Sequence, residues 1–413
     1  MVRINSNTPT PRWGEAEEFT SLICQFKRPL TKAHQPKIHY LFSSPHGYVP
    51  LNDFTSQTPM RLTRRGADPP HGPLSYGQYF KAITDVISSD RYRPLIVATA
   101  KHLAKDISLS DIEEILVYTE KHGSDYHPAR IEVVVNELRA AFVMNVAATT
   151  RGKARLCREF EVLECLNSKY DFPFLPRTYF QGEAFHPSMV MFLADWFEGY
   201  HEFHPSLDHK DNSPKLVLWD TPGNPCRLSR SQVWQIYHQA ASILTLYYDI
   251  ETFEQIFPWH HAAGDFVVKP REKSIDVKLV TARQYAPMLE RSEGVPVQEA
   301  LLFFLLNLSI RMRLDRLDGV GDVVWADDDC VDATLEGFVE GLRTNDYKGA
   351  IDTGFVNGFL QYLASLAKED LSNRLHAIID ACDQAAPDMP VIMDHLKGHI
   401  SKLHFALQNL RDS

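Results

Sequence analysis

Residues 257–279 read Phe257-Pro-Trp-His-His-Ala-Ala-Gly-Asp265-Phe-Val-Val-Lys-Pro-Arg-Glu-Lys-Ser-Ile-Asp276-Val-Lys-Leu279. Two histidines and an aspartate stand on a turn, an apolar strand follows, and a charged hairpin leads to a second strand with another aspartate. Two carboxylates at adjacent ends of a hairpin can converge on one cation, and a neighbouring imidazole can move a proton. Asp265 and Asp276 are thus the candidate metal ligands, and His260 and His261 the candidate catalytic groups. Each also has a plainer reading. An Asp after Gly264 suits a turn, alternation across Ile275, Val277 and Leu279 turns Asp276 away from the apolar face, and the histidines can be hydrogen-bonded structural residues.

The rest of the chain sets bounds. Its 413 residues suffice for two or three packed units, and 44% apolar content is that of a globular protein. A net charge of −10 gives no footprint for nucleic acid. The six cysteines form no CxxC pair, so neither a zinc knuckle nor a disulfide framework is indicated. The start, Met1-Val-Arg-Ile-Asn-Ser-Asn7, lacks the apolar core of a signal peptide, and the run Ala300–Leu306 is too short to span a bilayer. A reduced, cytoplasmic protein without a membrane partner is expected.

Working outward, residues 1–80 are proline-rich with one strand candidate at Ile38–Phe42, and helical spacing runs from Tyr76 to about His122, with Ser108 or Ser110 capping a helix start. Residues 1–125 therefore read as a separate, mostly helical appendage. Ile131–Ala148 has the β-branched content of strands. An amphipathic helix over 154–167 places residues 156, 160, 163 and 166 on one apolar face, and strand candidates follow at 177–182 and 189–193. Beyond 206 helices dominate, the first from Arg230 to about Ile250 and others over 296–317, 332–344, 354–368, 370–384 and 390–410. The fold class is α+β.

This order of parts resembles the aminoglycoside-phosphotransferase and choline-kinase branch of the protein-kinase-like fold, over roughly residues 130–320. Arg158-Glu159-Phe-Glu161 is similar to the family's first-lobe helix, Met191–Gly199 to its hinge, and Gly264-Asp265-Phe-Val-Val with Ile275-Asp276 to its catalytic strand and metal-binding Asp. The resemblance implies a two-lobe fold, with a small β-sheet N-lobe carrying one helix over 126–205 and a larger helical C-lobe over 206–413. It also implies a phosphotransferase that uses ATP and Mg²⁺ as cofactors, with a nucleotide and a small hydroxylated or other acceptor as partners. Mg²⁺ would lie between Asp265 and Asp276, His260 would orient or deprotonate the acceptor, and Glu159 or Glu161 would pair a basic phosphate-binding residue.

The chain departs from the family at telling places. His260 stands where the base Asp is usual, Asp265 where an Asn is usual, and Asn145 where a phosphate-binding Lys is usual. Phosphate contact then falls to Arg151, Lys153 or Arg155 or is absent, and no glycine-rich phosphate loop precedes them. The alternatives are a catalytically inactive, pseudokinase-like scaffold with a protein partner, and a metal-dependent hydrolase using His260, His261, Asp265 and Asp276. The run His201-Glu-Phe-His204-Pro-Ser-Leu-Asp208-His209 reads as a solvated loop rather than a transition-metal site, and Asp315 and Asp318 are further acids that could line a cleft.

Overall fold

The computed structural model describes residues 35–44, 47–60, 74–120, 123, 125–208, 210–219, 226–289, 295–347 and 353–412. Among them it is a mixed α+β structure with ten α-helices and several small sheets, divided into two compact units.

The first unit takes residues up to Lys153, apart from 44–47, together with Tyr179–Leu193. Its strands are β1 (Lys37–Ser44), β2 (Gly47–Pro50), β3 (Ile112–Thr119), β4 (His127–Val135), β5 (Leu138–Ala147), β6 (Thr178–Phe185) and β7 (Ser188–Asp195). They form one sheet in the order β2-β1-β3-β4-β5-β7-β6, with β1 parallel to β3 and β3, β4 and β5 an antiparallel meander. The helices are α1 (Asp53–Gln57), α2 (Tyr76–Ile87) and α3 (Ser89–Leu103). Ser75 starts α2 with a capping box to Gln78, and its spacing puts Tyr79, Phe80, Ile83 and Ile87 in one core with Ile115, Val117, Ile131, Val133, Phe142 and Met144 of the sheet. Burying such a side chain contributes about 1.5–3 kcal/mol, which explains why these positions carry large apolar residues.

Two expectations change here. The described part of residues 1–125 is not a separate, mostly helical appendage, because its β1 and β3 are built into the same sheet as β4 and β5. The helix start at Ser108 is a single 3-10 turn, Leu109–Asp111, in which Asp111 accepts the Ser108 backbone N–H at 2.8 Å. After it, buried Ile115, Val117 and Thr119 alternate with less buried neighbours, the period of a strand. The capping signal was genuine, but β-branched residues ended the helix after one turn.

The second unit comprises residues 154–178 and 194–413, with 44–47. α4 (Thr150–Lys169) runs into it and buries Leu156, Leu163 and Leu166. β8 (Glu202–Leu207), β9 (Pro214–Trp219) and β10 (Cys226–Arg227) make a three-stranded sheet where a loop was expected. α5 (Arg230–Leu246) is capped by Ser229 and buried around its whole C-terminal half, from Ala240 to Leu246. Three two-stranded ladders follow: β11 (Glu254–Ile256) with β14 (Tyr285–Pro287), β12 (Phe266–Pro270) with β13 (Ile275–Leu279), and β15 (Leu314–Arg316) with β16 (Val323–Trp325). The helices α6 (Val297–Arg311), α7 (Asp329–Tyr347), α8 (Thr353–Ser365), α9 (Lys368–Asp380) and α10 (Met389–Gln408) complete it. The β12–β13 hairpin lies against α5, whose Gln235 and Gln239 amides bond the open edge of β13: Gln239 Nε2 donates to Ile275 O at 2.6 Å and Gln239 Oε1 accepts Val277 N–H at 3.2 Å. These bonds fix the hairpin, and with it the residues at its two ends.

Candidate functional site

Asp265 enters β12 from a 3-10 turn, His261–Ala263, that ends at Gly264 with φ +70°. A side chain at Gly264 would be strained by the positive φ, and its Cβ would lie 2.9 Å from Glu202 Cδ, which would have to move, so glycine suits the turn. Asp265 itself is 1% exposed. Its Oδ2 accepts the His260 backbone N–H at 2.8 Å and Arg283 Nη1 at 2.5 Å, while Oδ1 accepts Arg283 Nη2 at 2.5 Å. This bidentate guanidinium neutralises a carboxylate that burial alone would make very costly.

Asp276 is not beside it. In the β12–β13 ladder Phe266 pairs with Leu279 and Lys269 with Asp276, so Asp276 is level with a position four residues beyond Asp265. At the rise of a strand the two acids are roughly 13 Å apart along the ladder. The residue level with Asp265 is Val280, whose N–H donates to Asp265 O at 2.8 Å. Asp276 accepts Arg271 Nε at 2.7 Å near the hairpin's turn, on the polar face opposite buried Ile275, Val277 and Leu279. The expected metal pair is therefore not formed: the antiparallel register separates its members, and each carboxylate has an arginine. Among the described residues no three His, Cys, Asp or Glu side chains converge as a metal-binding group.

The first-lobe candidates divide as follows. Glu159 is 2% exposed on α4 and its Oε1 accepts the Thr281 hydroxyl at 2.5 Å, whereas Glu161 is exposed. Thr281 follows β13 one residue past the position level with Asp265, and the buried Glu meets its hydroxyl there. Asn145 is buried on β5 opposite Pro128, in the first unit. In the same unit, Lys153 Nζ donates to Ser188 Oγ at 2.6 Å, and Arg151 pairs with Asp125 at 3.4 Å. Arg155 is exposed on α4, in the second unit.

The two histidines also part. His261 is 2% exposed and ringed by Phe203, Tyr237, Trp259 and Phe266, with Nε2 3.2 Å from Met312 Sδ. Burial pushes its imidazole down to about 4, which makes it a neutral residue sealed in the core. His260 is partly exposed; burial lowers its pKa too, with Asp265 opposing and Arg311 and Arg283 reinforcing the shift. It stays neutral around pH 7, and what Asp265 accepts is its backbone N–H, not its ring.

Three further features escaped the sequence reading. Arg283 and Thr281 lie in Thr281-Ala-Arg-Gln284, which matches no motif; counting out from the charged turn Arg271–Ser274 is the signal that would have placed them level with the Asp265 loop. The third is a buried cluster built on β8. His204 is 0% exposed, with Nε2 3.2 Å from Glu202 Oε2 and Nδ1 3.7 Å from Asp315 Oδ1. The second separation is that of an ion pair rather than a hydrogen bond. Asp318 instead accepts the Ser206 hydroxyl.

No family model matches the chain. Over 93 residues it is 26% identical to the sodium-dependent nutrient amino acid transporter 1 of Drosophila persimilis, and 25% identical to that of Drosophila pseudoobscura pseudoobscura. Each alignment covers 22% of this chain, and the chain spans only 14% of the length of these curated relatives. Among the described residues no helix is long and apolar enough to cross a membrane. A likeness this partial assigns no activity.

Proposed function

We propose that the chain is a pseudokinase-like binding or scaffold protein, a two-lobe kinase-like fold whose former phosphoryl-transfer loop is held together by an internal ion pair. The observation that carries this reading is the bidentate Arg283–Asp265 contact, which engages both oxygens of the acid that would hold the metal. A divalent cation at Asp265 would have to displace a guanidinium from a buried carboxylate, and Asp276 is too far along the ladder to assist. The residues present thus do not fit Mg²⁺-ATP. Asn145 in place of a cationic residue supports the same reading. The partner would be a protein.

The test is turnover. Purified protein incubated with Mg²⁺ and γ-labelled ATP should transfer no label to itself, to water or to a panel of small hydroxylated acceptors beyond the buffer blank. A stable protein partner should copurify without nucleotide. Label transfer that disappears in Asp265→Asn would sink the proposal and restore the phosphotransferase reading.

A further inference from the structure

We propose that His204 is a proton-dependent clasp that ties the Gly264 turn to the Gly319 turn within the second unit. The two turns share a backbone peculiarity: Gly264 has φ +70° and Gly319 φ +69°. Each abuts one member of a bonded pair of side chains. A Cβ at Gly264 would lie 2.9 Å from Glu202 Cδ, and a Cβ at Gly319 would lie 3.0 Å from His204 Nε2. Glu202 and His204 are in turn bound to each other at 3.2 Å, and Asp315, four residues before Gly319, stands 3.7 Å from the other ring nitrogen.

Chemistry makes this arrangement sensitive to one proton. A neutral ring can still hydrogen-bond Glu202 through Nε2, but at 3.7 Å its Nδ1 makes no hydrogen bond to Asp315, so only the charged ring is drawn to both carboxylates. Losing the proton also leaves two like charges flanking a buried neutral ring. Burial works against the charged form, but Asp315 and Glu202 outweigh it and raise the imidazole above its usual 6.5.

Other titratable and charged groups on the elements packed against β8 are neutral or have partners of their own. The His261 turn presents a neutral imidazole, and β9 presents the Trp219 ring edge-on at 5.2 Å and Lys215, paired with Asp211 at 3.7 Å. On β12, Lys269 donates to Glu198 O at 2.9 Å. On β15, Arg316 pairs with Asp388 at 3.1 Å, and Asp318 in the next turn accepts from Ser206.

The sign follows from the raised value. The clasp is fully formed below 6.5, the unfolded-state value, and is lost as pH rises through the higher folded-state value. Opening frees the turn at Leu317–Gly319 and relaxes Glu202 against the turn that leads into Asp265. None of this depends on whether the neighbouring loop binds nucleotide.

Two measurements on the full chain test it. Histidine ring resonances, assigned by their loss in His204→Gln, should show His204 titrating with a midpoint above 6.5, and Glu202→Gln should move that midpoint down. Amide exchange over 314–325 and 260–265, corrected for intrinsic rates, should rise by about threefold or more as pH passes the midpoint. The same rise should be absent in Glu202→Gln and in His204→Gln. A midpoint at or below 6.5, or an exchange profile with the same pH dependence in the wild type and Glu202→Gln, overturns the proposal.

Discussion

At the scale of single residues, the second unit keeps several ionisable side chains out of water, and each has a stated partner or a stated cost. Asp265 is matched by Arg283, so Arg283→Leu should destabilise the protein by about 3–5 kcal/mol by leaving a buried carboxylate unpaired. Adding Asp265→Asn to that variant should recover part of the loss, a non-additivity that a urea-denaturation cycle measures directly. His261 and His399 face the opposite problem, since they are buried and neutral. Burial pushes His261 down to about 4 and His399 down to about 3, with Arg313 adding to the effect on His399. The unfolded chain takes up protons at both below about 6.5 while the folded chain does not, so stability should fall as pH drops from 6.5 toward 4. The expected loss is on the order of 3 kcal/mol per histidine, and His261→Phe or His399→Phe should flatten its part of the acid limb in thermal melts. The histidines at 260 and 261 were visible in the sequence, but their environments were not. Adjacent residues on a turn face different ways, and only the packing of Phe203, Tyr237 and Phe266 decides which is sealed in.

At the scale of elements, the β12–β13 hairpin sets the site, and α5 sets the hairpin. Gln239 satisfies two backbone groups on the edge of β13 that would otherwise be left by a short ladder. Gln239→Ala should cost about 1–3 kcal/mol and should speed exchange of the Val277 amide while sparing that of Phe266, which lies at the far strand. Helices with long apolar stripes and clean caps were legible: 154–167 lies within α4, and Arg230 opens α5 behind Ser229. Short strands were harder. β8 hides His204 and Phe203 behind a composition of His, Glu, Pro and Ser, because its neighbours β9, β15 and the Gly319 turn, not its own period, bury it. The hairpin existed in the sequence as expected, but register decides what converges. With the turn at 271–274, Asp276 sits inside a strand and residue 280 is level with Asp265.

At the scale of the whole molecule, the described residues form an α+β protein of two compact units, and the chemistry argued above lies within the second. The first unit's sheet recruits β1 and β3, which come from the segment that composition and helical spacing set apart. Long-range pairing of this kind, such as Lys37 with Glu114, leaves no local trace in a sequence. The reading of the molecule as a binding protein rests on Asp265 being held by its own arginine in preference to a metal. Isothermal titration of ATP into the full-length protein, with and without Mg²⁺, addresses that point most directly. The expected result is no Mg²⁺-dependent heat of binding and no difference between the wild type and Asp265→Asn. Stoichiometric, Mg²⁺-dependent ATP binding that Asp265→Asn abolishes would contradict it.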